Sequence, residues 1–153
     1  MSQSSKIVIA VLATIILVGT CCCCGSLVYV AGESPTWDAA DAQAGLDGAE
    51  LGRSATAEEC INSAIARDPG CGLMDALCKS QLAAFTQACL TALPQPPSDL
   101  CVSIPATSMM GEESLQAGEA FCAARGHPMS AGCDAVFVAL SEHCDALRAR
   151  GSR

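Results

Sequence analysis

The sequence predicts an all-α fold in which an N-terminal transmembrane helix precedes a small disulfide-stapled domain. This domain is expected to contain four helices, arranged as two helical hairpins. Three observations predict this fold. Residues 7–31 carry no charge, and roughly 20 apolar residues suffice to cross a bilayer as a helix. Eight cysteines are spread over residues 57–153, where apolar residues recur with a helical period. Proline and glycine interrupt that pattern where each hairpin would turn.

The composition explains why disulfides are expected. The chain has 153 residues and is 51% hydrophobic but only 3% aromatic, so Ala, Leu, Val and Cys must fill most of its core. Such a core depends on covalent links, and 12 cysteines favour a disulfide framework in an oxidising compartment. The net charge of −8 argues against binding to nucleic acid or to an anionic lipid surface.

The N-terminal segment is predicted to consist of a short cytoplasmic N-terminus, residues 1–6, and a signal-anchor that stays in the bilayer, residues 7–31. Lys6 precedes the apolar run and acidic residues follow it, which favours an extracytoplasmic location, periplasmic or extracellular, for the rest of the chain. Two alternatives stay open: a signal peptide cleaved near Ser26, and a lipoprotein signal that ends before Cys21.

Four consecutive cysteines, Cys21, Cys22, Cys23 and Cys24, lie inside the apolar run. Consecutive residues of a helix point about 100° apart, so these thiols do not converge on one ion. We interpret them as small apolar residues of a membrane helix. Acylation, interchain disulfides and a soft-metal site are the alternatives.

Residues 32–56 are rich in Gly, Ala and acidic side chains and show little apolar periodicity, which predicts an acidic linker, flexible or partly helical. Asp38, Asp41 and Asp47 lack the alternating spacing of a calcium-binding loop. Trp37 closely follows the apolar run, as expected of a residue that anchors a membrane helix at the interface.

The cysteine-rich domain, residues 57–153, begins with a hairpin over residues 57–93. A capping-box pattern at Thr56 and Glu59 starts its first helix, which we expect to end at an Asp-Pro-Gly turn. A second helix is predicted over residues 73–90, because apolar side chains recur close to every 3.6 residues until a proline cluster ends the pattern.

The cysteines of this hairpin predict two nested disulfides. Cys60 and Cys71 are eleven residues apart, and so are Cys78 and Cys89, which places each pair about three turns apart on one helical face. Cys71 and Cys78 flank the turn, and the other two lie equally far from it. We therefore predict the bridges Cys71–Cys78 and Cys60–Cys89.

A second hairpin over residues 98–150 repeats this plan. Its first helix is predicted over residues 109–125, and its second runs from a Ser130 cap to about Arg150. The core-facing side chains expected in these two helices are Leu115, Phe121, Cys122, Cys133, Val136, Phe137, Leu140, Cys144 and Leu147.

The remaining cysteines follow the same logic. Cys122 and Cys133 flank the second turn, which predicts the bridge Cys122–Cys133 and leaves Cys101 to bridge Cys144 from the loop between the hairpins.

The two halves also align in sequence, since residues 78–93 match residues 133–148 in their cysteine and apolar positions. Gln87 aligns with Glu142 in this match. The pattern indicates a duplicated helical hairpin.

The sequence contains no pattern for a catalytic residue, a bound cofactor or a complete metal site. Its only Cys-x-x-Cys spacing lies in the membrane run, and the side chains of His143 and Cys144 diverge because they are adjacent on a helix. We predict a partly exposed His143 and place His127 in a turn, where no partner for a metal is visible.

These observations predict a non-enzymatic, envelope-anchored interaction or structural module. It would contact the lipid bilayer through residues 7–31 and would bind a protein partner that the sequence does not identify. One alternative is a carrier of a lipid or small apolar ligand. A less favoured one is a thiol or metal protein that uses Cys21–Cys24 or unpaired thiols.

Overall fold

The computed structural model describes residues 36–68, 70–72, 75–106, 112–128 and 130–151, and these residues contain helices and turns but no strand. Residues 39–153 form one compact unit. The predicted all-α class is confirmed for this part of the chain. Six helices are described, one in the segment predicted as a linker and five in residues 57–153, where four were expected. They are α1 over residues 36–52, α2 Ala57–Ala66, α3 Ala76–Ala92, α4 Ser98–Val102, α5 Glu112–Ala124 and α6 Ala131–Gly151.

The predictions made for the N-terminal segment lie outside the described residues. They concern the cytoplasmic residues 1–6, the membrane span over residues 7–31 and the cysteines Cys21–Cys24. Within the described ranges, no helix combines the length and the apolar character needed to cross a bilayer.

Helix α1 occupies most of the segment predicted as a linker, and it is not a flexible spacer. Gly48 and Gly52 are buried, one helical turn apart, where α1 crosses α3. A Cβ at Gly48 would collide with the backbone carbonyl of Phe85, and one at Gly52 with that of Cys89. Of the two alternatives left open for residues 32–56, α1 matches the partly helical one, and its glycines let two helix backbones approach closely.

Helices α2 and α3 form the first hairpin. The predicted capping box is confirmed, because the Thr56 hydroxyl accepts from the Glu59 N–H and the Glu59 carboxylate accepts from the Thr56 N–H. Helix α3 begins at Ala76, later than predicted, because the Asp75 carboxylate caps it by accepting from the Cys78 N–H at 2.9 Å.

Helices α5 and α6 form the second hairpin, and the predicted stop and start between them are confirmed. The N–H of Gly126 donates to the Ala123 carbonyl and that of His127 to the Cys122 carbonyl, which together make a Schellman motif. Gly126 supplies the required left-handed backbone, with φ of 81°. Ser130 then caps α6 by accepting from the Cys133 N–H at 3.1 Å.

Helix α6 lies at the centre of the compact unit, and its most extensive contact is with α3. Five members of its predicted apolar stripe are buried, namely Cys133, Val136, Phe137, Leu140 and Cys144. The sixth, Leu147, is partly buried. The prediction that Leu115 on α5 lies in the core is wrong, because this side chain is 73% exposed. Leu115 lies on nearly the same face of α5 as Gly118 and Cys122, but one turn closer to the start of the helix than Gly118, where the Phe137 ring packs.

His143 is buried, with 7% of its surface exposed, so the prediction of a partly exposed side chain is wrong. Helices α2, α3, α4 and α5 all contact α6, and α6 therefore buries more than the single stripe expected of a surface helix. Burial, followed by the charge of Arg150, lowers the pKa of His143 below its ordinary value of 6.5.

This burial makes stability depend on pH. Below pH 6.5 the unfolded chain takes up a proton on His143 that the folded chain resists, so the free energy of unfolding should fall as pH drops through 6.5 toward the lower folded pKa. We expect His143→Gln to remove this part of the pH dependence in urea denaturation curves collected between pH 5 and 8. The original chain measured over the same pH range is the reference. An unchanged slope in His143→Gln would contradict this account.

The sequence repeat has a structural counterpart at the contact between α3 and α6. The Gln87 side-chain amide donates to the Glu142 carboxylate at 2.7 Å, and these two residues occupy equivalent repeat positions. Thr86 and Ser141, also equivalent, are both buried. Equivalent positions meet when two copies of one unit are related by a twofold axis, which supports duplication of a helical hairpin.

Candidate functional site

The eight cysteines between residues 60 and 144 form four disulfides in the structure. Their Cα–Cα distances lie between 5.2 and 5.9 Å, within the range that a disulfide requires. The pairs are those that cysteine positions along two hairpins predict: Cys60–Cys89, Cys71–Cys78, Cys101–Cys144 and Cys122–Cys133. Cys101 lies in the short helix α4 instead of a loop.

The four bridges differ in their access to solvent. Six of the cysteines are buried, with at most 6% of their surface exposed. Cys71 and Cys78 are only partly buried and pack against the edge of the core. Cys78 lines an open cleft, whereas Cys71 is the more enclosed of the two. A reagent in solvent can therefore reach the Cys71–Cys78 bridge more readily than the other three.

The Asp68 carboxylate lies beside this accessible bridge and joins the two hairpins. Its Oδ1 accepts from the N–H groups of Gly70 at 2.9 Å and Cys71 at 2.7 Å. Its Oδ2 accepts from the Ser130 hydroxyl at 2.8 Å, and Ser130 in turn caps α6. Asp68, Cys71 and Cys78 bring one oxygen and two sulfur atoms within 4.8 Å of one another.

The electrostatics of Asp68 follow from these contacts. Burial by itself would raise the pKa of the carboxyl. The hydrogen bonds from Cys71, Ser130 and Gly70, together with the nearby charge of His127, outweigh burial and hold the pKa below its usual value. The group at this junction is therefore a carboxylate at neutral pH.

The junction leaves no room for a side chain at the start of α6. A Cβ at Gly132 would overlap the Asp68 carboxylate, which three hydrogen bonds hold in place. We expect Gly132→Ala to lower the free energy of unfolding by about 1–3 kcal/mol, although alanine is the better helix former. In a double-mutant cycle, the cost should shrink in an Asp68→Ala background, measured by urea denaturation. Equal costs in both backgrounds would show that the clash is absent.

The cleft next to the bridge has a volume of about 390 Å³. Its wall combines polar and apolar side chains, including Arg67, Asp75 and Phe85. The Arg67 guanidinium lies 4.2 Å from the centre of the Phe85 ring and pairs with the Asp47 carboxylate at 3.1 Å. Both partners of that ion pair are substantially exposed, so it contributes little to stability.

A second cleft of about 380 Å³ lies between α4 and the end of α6 and is mainly apolar. Val102 lines it and is 87% exposed, and Leu147 is partly buried beside it. Arg148 closes one side, because its guanidinium donates to the backbone carbonyl of Cys101 at 2.7 Å and to that of Ile104. This arrangement suits a small apolar group.

The residues singled out from the sequence therefore separate into three groups. The cysteines of residues 60–144 come together in pairs, Cys21–Cys24 lie outside the described residues, and His127 and His143 lie in a turn and in the core respectively. The sequence around Asp68 predicts only a helix stop. Its position two residues before a glycine is typical of an Asx turn, but its bond to Ser130 spans 62 residues and follows only from the tertiary fold.

No family model matches the chain, and no curated protein sequence and no solved structure matches it either.

Proposed function

We propose that this chain is a membrane-anchored extracytoplasmic protein whose stapled helical domain acts as a non-enzymatic interaction or structural module. The observation that carries the proposal is that all eight cysteines from residue 60 to residue 144 are paired, six of them inside the core. Such pairing is typical of proteins that fold in an oxidising compartment.

The N-terminal sequence supports the location. Residues 7–31 are uncharged and long enough to cross a bilayer, and Lys6 favours an N-terminus on the cytoplasmic side. Four disulfides in so small a domain make a rigid body, and a rigid surface loses little entropy when it binds a partner.

Membrane topology tests this proposal. The full-length chain should stay in the membrane pellet after an alkaline carbonate wash. Protease added outside intact cells, or outside spheroplasts of a host with two membranes, should cut the chain beyond residue 31 and separate the stapled domain from the membrane. Substitution of residues 7–31 by a Gly/Ser linker of equal length should release the chain from the pellet. Recovery of the unaltered chain in the soluble cytosolic fraction would contradict the proposal.

The apolar cleft between α4 and α6 favours a second candidate, a carrier of a lipid or small apolar ligand. Native mass spectrometry of the chain purified in mild detergent should then show a bound apolar molecule. Val102→Asp should abolish that binding, because it places a charge in the cleft. Val138→Asp is the matched control, since Val138 is exposed on α6 and does not line the cleft. Equal occupancy in both variants, or none in the original chain, would exclude this candidate.

A further inference from the structure

The Cys71–Cys78 bridge differs from the other three disulfides in its exposure to solvent and in the length of the loop that it closes. The proposed function does not account for this difference. The bridge is partly exposed, while each of the other bridges has both cysteines buried in the core. It also closes the shortest loop of the four, with a sequence separation of 7, compared with 11, 29 and 43 for the others. Its loss would therefore leave three deeper links to hold the helices together.

We infer that Cys71, Cys78 and Asp68 form a redox-gated metal site, in which reduction of the Cys71–Cys78 disulfide creates a two-sulfur, one-oxygen site for Zn²⁺. The site is absent while the sulfur atoms are bonded to each other. It forms only when a dithiol reductant opens the bridge.

The gating step is thiol–disulfide exchange. A thiolate of the reductant attacks the Cys78 sulfur, which lines the cleft, and the S–S bond breaks with Cys71 leaving as a thiolate. The second thiol of the reductant then attacks the mixed disulfide and releases Cys78. The reductant becomes a disulfide, and its two protons pass to Cys71 and Cys78.

The geometry of the three groups fits a thiophilic divalent ion. Zn²⁺ binds thiolate sulfur at about 2.3 Å and carboxylate oxygen at about 2.1 Å, which sets ligand atoms of a tetrahedral site about 3.7 Å apart. The sulfur atoms and the nearest Asp68 oxygen lie within 4.8 Å of one another, so the sulfurs need only move apart as the bond opens. Binding of Zn²⁺ displaces the two thiol protons, and water takes the fourth position.

The surrounding contacts orient these ligands. Hydrogen bonds from Gly70, Cys71 and Ser130 fix the Asp68 carboxylate, as groups around a metal site commonly do for its ligands. Asp75 holds the backbone of Cys78 by capping α3. The Asp68 carboxylate and the backbone of Cys78 are therefore held in place before the disulfide opens.

Graded reduction tests the first half of the inference. The full-length chain carrying Ser at Cys21–Cys24 is kept in detergent micelles, treated with increasing dithiothreitol and alkylated with iodoacetamide. Peptide mapping should show label on Cys71 and Cys78 while the other six cysteines remain bridged. Loss of all four bridges together, or earlier loss of another, would overturn the inference.

Zinc binding tests the second half, with ZnCl₂ as the probe and a chromophoric chelator as the competitor. The partly reduced chain should bind one Zn²⁺, and C71S/C78S, which keeps three disulfides, should bind none. Asp68→Asn should weaken binding by about tenfold or more while retaining the turn.

Asp99→Asn is the matched control, because Asp99 is exposed on α4 and does not line the cleft beside Cys78. It should leave the zinc affinity within about twofold of the original, a shift well below the tenfold loss expected at Asp68. Zinc retained by C71S/C78S, or equal weakening by Asp68→Asn and Asp99→Asn, would overturn the site. Circular dichroism of each variant checks that the helices persist, and membrane topology is unaffected by either result.

Discussion

Loss of the Cys101–Cys144 bridge through C101A/C144A is expected to lower the free energy of unfolding by about 4 kcal/mol. The bridge closes a loop with a sequence separation of 43, the longest of the four, so its removal restores the most freedom to the unfolded chain. Helix α4 has only five residues, and it contacts the rest of the unit through α6. The bridge therefore holds a segment that has few other interactions.

The matched control is C71A/C78A, whose sequence separation of 7 corresponds to a loss of only about 2.4 kcal/mol in the same chain-entropy model. Both variants are compared with the original chain by guanidinium denaturation in detergent, followed by circular dichroism. Total stabilities of domains are about 5–15 kcal/mol, so C101A/C144A should unfold at a clearly lower denaturant concentration. Equal losses in both variants would mean that loop length does not determine the contribution of each bridge.

The second large effect is expected at the contact between α1 and α3. Gly48→Ala should lower the free energy of unfolding by about 1–3 kcal/mol, because its Cβ would meet the backbone carbonyl of Phe85 and neither backbone can yield without moving a helix. Displacement of α1 would also weaken the packing of Ala44 and Leu51 against the buried core. The loss is measured by the same denaturation experiment.

Gly45→Ala is the control on the same helix and should have the opposite sign. A Cβ at Gly45 meets no atom within 4 Å, so alanine should stabilise α1 by about 0.5–1 kcal/mol through its higher helix propensity. Stabilisation by both substitutions would show that α1 does not pack closely on α3 in solution.

The hairpins could be predicted from the sequence because their determinants are local. The capping box at Thr56, the Gly126 stop and the Ser130 cap each involve residues within a few positions of one another. The pairing of cysteines followed from their equal distances to the turn of an antiparallel hairpin. These rules need no knowledge of the rest of the fold. The expectation that Cys60 and Cys71 share one helical face is wrong, because α2 ends at Ala66 and Cys71 lies in the turn that follows.

The features that the sequence did not reveal depend on contacts between distant segments. Gly48 and Gly52 form a small-residue pair four positions apart, which indicates close helix packing, but their acidic surroundings favoured a linker. The burial of His143 arises because helices contact α6 on several sides. Asp68 became part of a candidate site only when the fold brought it to Ser130 and to the Cys71–Cys78 bridge.

A map of the disulfides in the producing cell shows whether the disulfide-stapled helical scaffold forms outside the cytosol. Cells expressing the full-length chain are lysed in iodoacetamide, and non-reduced peptides of the membrane fraction are identified by mass spectrometry. We expect the linked peptides 60–89, 71–78, 101–144 and 122–133, and after mild reduction of the same fraction we expect Cys71–Cys78 alone to be open. Alkylated thiols at any of the six buried cysteines, or linkage between other partners, would contradict this expectation.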